Sequence, residues 1–289
     1  MRLDNERESS NVDDRRGSSG GFGGFVGGAG NIGRIIMIWP LIKPLLKTKF
    51  GWAIIAIGAF FYFGNPLSFF SGKGSASSSA NSKDAVFIKK VLKTTEDTWG
   101  ALLPKYGYRY KEPVMVLYRG HTVSGCGHAS AQMGPFYCPA DQKIYLDLGF
   151  YDELKRVHNA KGDFAEAYVL AHEVGHHVQN ILGTLNKAHA LQEKALRSGD
   201  KTRANHIQIP VELQADCYAG IWAHYNQKYL ERGDIEEALN AAAQIGDDTL
   251  QKKAQGYVVP DSFTHGTSKQ RQEWFYKGFR SGDLRACSI

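Results

Sequence analysis

The chain has 289 residues, 43% of them apolar and 22% charged, a balance that suits a globular protein and excludes wholesale disorder. Its 35 Lys and Arg against 29 Asp and Glu leave a formal charge of +6, but half of that excess falls in residues 1–49, which hold 8 basic and 5 acidic groups. The remaining 240 residues are nearly neutral and carry no basic stripe interleaved with aromatics, so the composition points away from nucleic acid as a partner.

Residues 17–33 (GSSGGFGGFVGGAGNIG) hold 9 Gly in 17 positions and follow a polar, charge-mixed run. Ordering such a stretch costs more backbone entropy than it can recover by burial, so residues 1–33 are expected to form a flexible tail. The apolar run 35–46 is interrupted by Pro40, Lys43 and Pro44 and reads as an interfacial segment; half of a membrane hairpin is the alternative, with reversed topology. Residues 50–72 carry no charge. As a helix, residues 50–70 would reach roughly 31 Å, against a bilayer core of about 30 Å. The 49 residues before it are too many for a cleaved signal, so a single transmembrane anchor is expected at 50–70. Arg34, Lys43, Lys47 and Lys49 precede it with no acid among them. That asymmetry predicts a cytoplasmic segment 1–49 and an extracytoplasmic remainder, at a bacterial inner membrane. Residues 71–83, with 6 Ser in 13, read as a linker, which leaves residues 84–289 as the part able to bury a sizeable core.

Within those 206 residues the apolar spacing predicts a helix over 84–103 ended by Pro104, strands over 113–118 and 143–148, and helices near 150–157, 163–182, 186–198, 206–231 and 269–281. A small sheet followed mostly by helices is an α+β arrangement.

The sharpest signal is His172-Glu173-Val174-Gly175-His176 inside the 163–182 helix. One helical turn separates His172 from His176, so both imidazoles project to one side and can grip one zinc ion. Glu173 points about 100° away, beside the open position of such an ion, where its carboxylate can take a proton from water. Position 182 is Leu, so a third histidine is not supplied in the H-E-x-x-H-x-x-G-x-x-H manner. The third ligand is expected from Glu212-Leu213-Gln214-Ala215-Asp216, 36 residues beyond His176. Glu212 and Asp216 share a helical face; Glu212 is the ligand candidate, and Asp216 is expected to take the outer N–H of His172.

With HEVGHHVQN, ELQADCYAG and VVPDSFTHGTSKQR together, and with RESSNVDDRR near the start, CGHASAQMGPFYCP and GDIEEALNAAAQIGDD, the sequence resembles the bacterial family of membrane-anchored neutral zinc metallopeptidases over nearly its whole length. The resemblance implies a zincin-like fold, one zinc per chain held by two His and one Glu, and an Asp of ExxxD behind the ligands. His265, with Arg271 six residues on, looks like an element found after the zinc site in related membrane metallopeptidases. A hydrogen bond from His265 to the oxyanion of an attacked carbonyl is one role; a contact near the start of the last helix is the other. Arg271 either holds an acidic side chain of the site or is a surface charge.

The four Cys allow three pairings. An extracytoplasmic location favours Cys126–Cys138, leaving Cys217–Cys287, while Cys126-x-His128 with Cys138 is a candidate structural metal site. The expectation is therefore a membrane-tethered zinc endopeptidase acting on a peptide or protein. A zinc hydrolase of a non-peptide amide and a zinc-stabilised scaffold are the competing classes. The 143–148 strand bears on the choice, because an exposed edge there beside the cleft would suit β-addition of an extended peptide.

Overall fold

The computed structural model describes residues 1–17, 76–157, 160 and 162–289; the Gly-rich run beyond residue 17, the apolar run 35–46 and the span at 50–70 lie outside the described residues. Among the described residues no helix is long and apolar enough to cross a membrane. The chain divides into two compact units, residues 1–18 together with 81–289, and residues 19–80. The first unit carries the described fold.

Its elements in chain order are β1 (Val12–Asp14), α1 (Ala76–Leu102), β2 (Val114–Tyr118), a hairpin β3 (His121–Ser124) and β4 (Gly127–Ser130), β5 (Phe136–Cys138), β6 (Lys143–Asp147), then α2 (Gly149–Arg156), α3 (Asp163–Leu182), α4 (Thr184–Arg197), α5 (Lys201–Tyr225), α6 (Asp234–Gln244), α7 (Asp247–Gln255) and α8 (Ser268–Ser281). This is the mostly helical α+β class with a small sheet that the pattern of elements predicts.

The sheet runs β1–β2–β6–β5, with β1, β2 and β6 parallel and β5 antiparallel to β6. Strand β2 (VMVLY) has no polar alternation because both of its faces are covered. Met115, Leu117, Ile144 and Leu146 point into the main helical core, while Val116, Tyr118, Tyr145 and Cys138 form a second cluster on the other face. The Cys126–Cys138 disulfide ties the β3–β4 hairpin to β5 beside that cluster. A second disulfide, Cys217–Cys287, fastens the C-terminal segment to α5, and among the described residues no cysteine is free.

Helix ends follow local chemistry. The first turn of α3 carries Asp163 and Glu166, which complement the positive end of the helix dipole, and Gly183 closes the helix at φ 77°. Thr267 and Gln270 form a capping box at the start of α8. Close approach of the helices depends on missing side chains. A Cβ on Gly175 of α3 would lie 2.9 Å from the Ala215 carbonyl oxygen of α5, and one on Gly278 of α8 would lie 1.9 Å from that of Cys217. These contacts let α5 sit directly against both α3 and α8.

Several expectations need correction. Residues 1–17 are not a flexible tail. Met1 and Leu3 are buried at 5% and 4% exposure, Ser9 and Asn11 both donate to Glu96 of α1 at 2.5 and 2.8 Å, and β1 extends the sheet beside β2. A composition window over residues 1–33 averages this short ordered arm with the glycines after it. Residues 76–83, expected in the linker, are the first turns of α1, because Ala and Ser are tolerated in helices. The 143–148 strand is not an edge: β6 lies between β2 and β5, and the edges are β1 and β5, each of three residues and too short a run to read from alternation. The last long helix before residue 230 is Lys201–Tyr225 rather than 206–231, and α6, α7 and the β3–β4 hairpin complete a framework that periodicity alone had left open.

Candidate metal centre

The residues that sequence spacing singles out on two separate helices meet at one point. Nε2 of His172 lies 3.2 Å and Nε2 of His176 3.4 Å from Oε2 of Glu212. One ligand-type atom from each of the three lies within 4.8 Å of the others. Helix α3 supplies both histidines because they are one turn apart, and α5 supplies Glu212 because Gly175 lets it approach. All three are largely withdrawn from water, and a cavity of about 500 Å³ opens beside them, reaching Glu173, Tyr168 and His265. Among the described residues a second trio of acids, Asp163, Asp234 and Glu237, also clusters, but there the α-ammonium of Met1 is the cation, 2.8 Å from Asp163 and 3.2 Å from Asp234.

The outward faces of the two imidazoles are each held. Nδ1 of His172 is 2.8 Å from Oδ1 of Asp216, as the ExxxD spacing predicts. Asp216 is fully buried and accepts further bonds from the Tyr168 hydroxyl at 2.5 Å and from Nε and Nη2 of Arg271 at 2.8 and 2.9 Å. Arg271 is therefore a buried partner of the site, not a surface charge. Nδ1 of His176 faces Oε1 of Gln179 at 2.8 Å, and Glu212 accepts from Nε2 of Gln208 at 2.8 Å.

The electrostatics favour a cation at the point of convergence. Burial depresses the acidity range of His172, yet Asp216 and Glu212 more than reverse this and lift its pKa to about 10. Burial would raise Glu212, but the two histidines hold it well below the usual carboxylate range. Two imidazole nitrogens and one carboxylate, with their outer atoms already bonded to the protein, form a donor set suited to zinc and leave room for a further ligand from the cavity. Glu173 lies in the same cavity; burial raises its pKa, opposed by both histidines and by the backbone N–H of Tyr137.

His265 reaches the cavity as well. Its loop is drawn around Asp247, whose Oδ2 accepts the backbone N–H groups of Thr264, His265 and Gly266 at 2.7, 2.6 and 3.1 Å. Oδ1 of Asp247 is 3.2 Å and the Thr264 hydroxyl 3.0 Å from Nδ1 of His265, so the contacts to this ring are made on Nδ1. His177 points away from the convergence: its Nε2 meets the Lys111 carbonyl at 2.6 Å and its Nδ1 the Tyr137 hydroxyl at 3.1 Å, so it pins α3 to the edge strand β5. His224 lies elsewhere, against the Phe279 carbonyl. The candidate structural metal site at Cys126, His128 and Cys138 is excluded by the disulfide between the two cysteines.

Sequence reasoning did not find Tyr168, Gln179, Tyr137 or Asp247. Tyr168 and Gln179 carry a helical signal, lying four residues before His172 and three after His176, but nothing local distinguishes them from core residues. Asp247 carries none, because its partners lie 17 to 19 residues away.

Fold and centre together define a helical α+β protein with two histidines and one carboxylate converging, as a candidate metal site, beside a cleft. The chain belongs to the family described as "Putative neutral zinc metallopeptidase", whose model matches residues 1–289. It is 48% identical over 294 residues to the "Uncharacterized protein YpfJ" of Escherichia coli K12, covering 100% of this chain and 98% of that relative. It is also 42% identical over 207 residues to the "Uncharacterized protein Mb2605" of Mycobacterium bovis, covering 67% of this chain and 66% of that relative. No solved structure matches it.

Proposed function

We propose that the protein is a zinc-dependent endopeptidase with His172, His176 and Glu212 as ligands, one zinc per chain, and Glu173 as the general base. The observation that carries this reading is the convergence of three ligand-type atoms, withdrawn from water, beside a cavity that also contains a second carboxylate, that of Glu173. A bound zinc supplies Lewis acidity toward a carbonyl oxygen and toward water. Glu173 takes the proton of the attacking water and returns it to the departing amine. His265, contacted on Nδ1 by Asp247, donates from Nε2 to the oxyanion of the attacked carbonyl. Asp216 and Arg271 hold His172 in the orientation its ligand role requires. An extended peptide fits along β5, which pairs with β6 on one side and has no other partner strand among the described residues.

Glu173→Gln tests the reading. The variant is expected to retain zinc, measured by elemental analysis, and to lose peptide hydrolysis against a mixed peptide library, whose products also separate peptide from non-peptide amide substrates. Activity that survives the substitution refutes the mechanism, and a wild-type protein without zinc refutes the centre.

We further propose attachment to a bilayer through residues 50–70, with the catalytic domain outside the cytoplasm. Two disulfides support an oxidising compartment. Residues 1–17 pack into the same core as α1 to α8, which favours both on one side of the bilayer over the orientation expected from flanking charge. Leu3→Ala is expected to destabilise the catalytic domain by about 2–5 kcal/mol, as for other buried leucines. A domain indifferent to Leu3, with the N-terminal arm protected from a label that reaches the domain, restores the single-crossing orientation.

A further inference from the structure

The buried amides behind His176 form a chain whose direction is fixed at both ends. Nε2 of Gln214 is 2.8 Å from the carbonyl oxygen of Cys287, and a carbonyl can only accept, so the amide nitrogen of Gln214 must face it. Oε1 of Gln214 then faces Nε2 of Gln179 at 3.0 Å. The same Nε2 donates to the carbonyl of Val211 at 2.6 Å, a second acceptor that enforces the same orientation. Oε1 of Gln179 is therefore the atom left toward His176, and a neutral amide oxygen accepts only, so Nδ1 of His176 must carry its proton. The lone pair of the imidazole is thereby directed to Nε2, the nitrogen that faces Glu212. Gln179 has 0% and Gln214 5% exposure, so water does not compete for these bonds.

We propose that Gln179 is the positioning residue of His176, fixing its tautomer and ring orientation for zinc, with the polarity imposed by the backbone carbonyls of Val211 and Cys287. Three features give the device its reach. Gln179 lies one turn beyond His176 on α3, so the two cannot drift apart. Val211 immediately precedes Glu212, so the same side chain ties the second histidine to the backbone of the third ligand. Cys287 is held by its disulfide to Cys217 of α5, so the far end of the chain is anchored to the helix that carries Glu212 and Asp216. His172 is served by a charged acceptor, Asp216, and His176 by a neutral one, so the two ligands reach the metal with different basicity.

The inference rests on the zinc reading of the site, and the test separates the two. Zinc dissociation constants are measured by chelator competition for the wild type, Gln179→Met and Gln214→Met, alongside urea unfolding of each metal-free protein. Gln179→Met, of similar length but without an acceptor, is expected to bind zinc about 10–100-fold more weakly. Proton NMR of the zinc-loaded wild type is expected to show an exchange-protected His176 Nδ1 proton that this variant loses. Gln214→Met leaves the Val211 contact in place and is expected to change zinc affinity less than about threefold, since one enforcing acceptor remains. Zinc affinity unchanged in Gln179→Met with the Nδ1 proton still protected overturns the inference alone. Equal losses in both variants, tracking lost stability, also overturn it, by assigning the effect to packing. A wild type that binds no zinc overturns the reading beneath it.

Discussion

Replacing Arg271 with Met removes the guanidinium from a site where both partners are out of water. Arg271 is 2% exposed and Asp216 0%, and two bonds of 2.8 and 2.9 Å join them. After the substitution the Asp216 carboxylate keeps its bonds to Tyr168 and His172 but stands as a buried charge without its fixed countercharge. Breaking a buried pair in this way costs about 3–5 kcal/mol, a large share of the stability of an ordinary domain. The apolar stem of Met fills much of the space, so the loss is electrostatic rather than a cavity. Urea unfolding of the metal-free protein measures it as a lower midpoint at unchanged slope. The double variant Asp216→Asn with Arg271→Met leaves no uncompensated charge and should recover most of the stability, while zinc affinity stays reduced because His172 has lost its charged acceptor. A loss below about 1 kcal/mol in the single variant refutes the assignment of this pair as a tightly coupled buried unit.

Two further outcomes are expected. Burial lifts Glu166 from a reference of 4.5 to about 7 despite its ion pair with Lys155. The folded state therefore keeps a proton that the unfolded chain releases, so this group's contribution to stability falls as pH rises from about 4.5 to about 7 and levels above it. The change approaches about 3 kcal/mol, and Glu166→Gln should abolish that slope in unfolding measured across pH 5 to 8; an unaltered slope sinks the assignment. Gly175→Ala sets a methyl 2.9 Å from the Ala215 carbonyl oxygen. Overpacking of about 1–3 kcal/mol then outweighs up to about 1 kcal/mol of gained helix propensity, and displacement of α5 should also weaken zinc binding. A more stable variant with unchanged zinc affinity contradicts the close approach of these helices.

The sequence by itself determined what is written at helical spacing. His172 and His176 share a face because a helix repeats every 3.6 residues, and Glu212 and Asp216 do so for the same reason, so the ligand candidates and the Asp216–His172 pairing were legible before any fold. The boundaries of α3 and α8 were legible too, since acidic first turns, a capping box and closing glycines are local signals. Only the tertiary structure decided what brings separate segments together. Arg271 could be a surface charge or a partner of the site until α8 was seen pressed against α5 at Gly278. Asp247 acquires its role from a loop 17 to 19 residues away, and Gln179 from carbonyls on α5 and at Cys287. Residues 1–17 looked like a tail because their few apolar groups cannot form a core alone; they become ordered because Met1, Leu3 and β1 find their partners more than 80 residues away, on a surface that exists once the rest has folded. Periodicity reports which face of an element is apolar or carries ligands. It holds no information on which other element that face will meet, and at this site the orientation of every candidate ligand depends on that meeting.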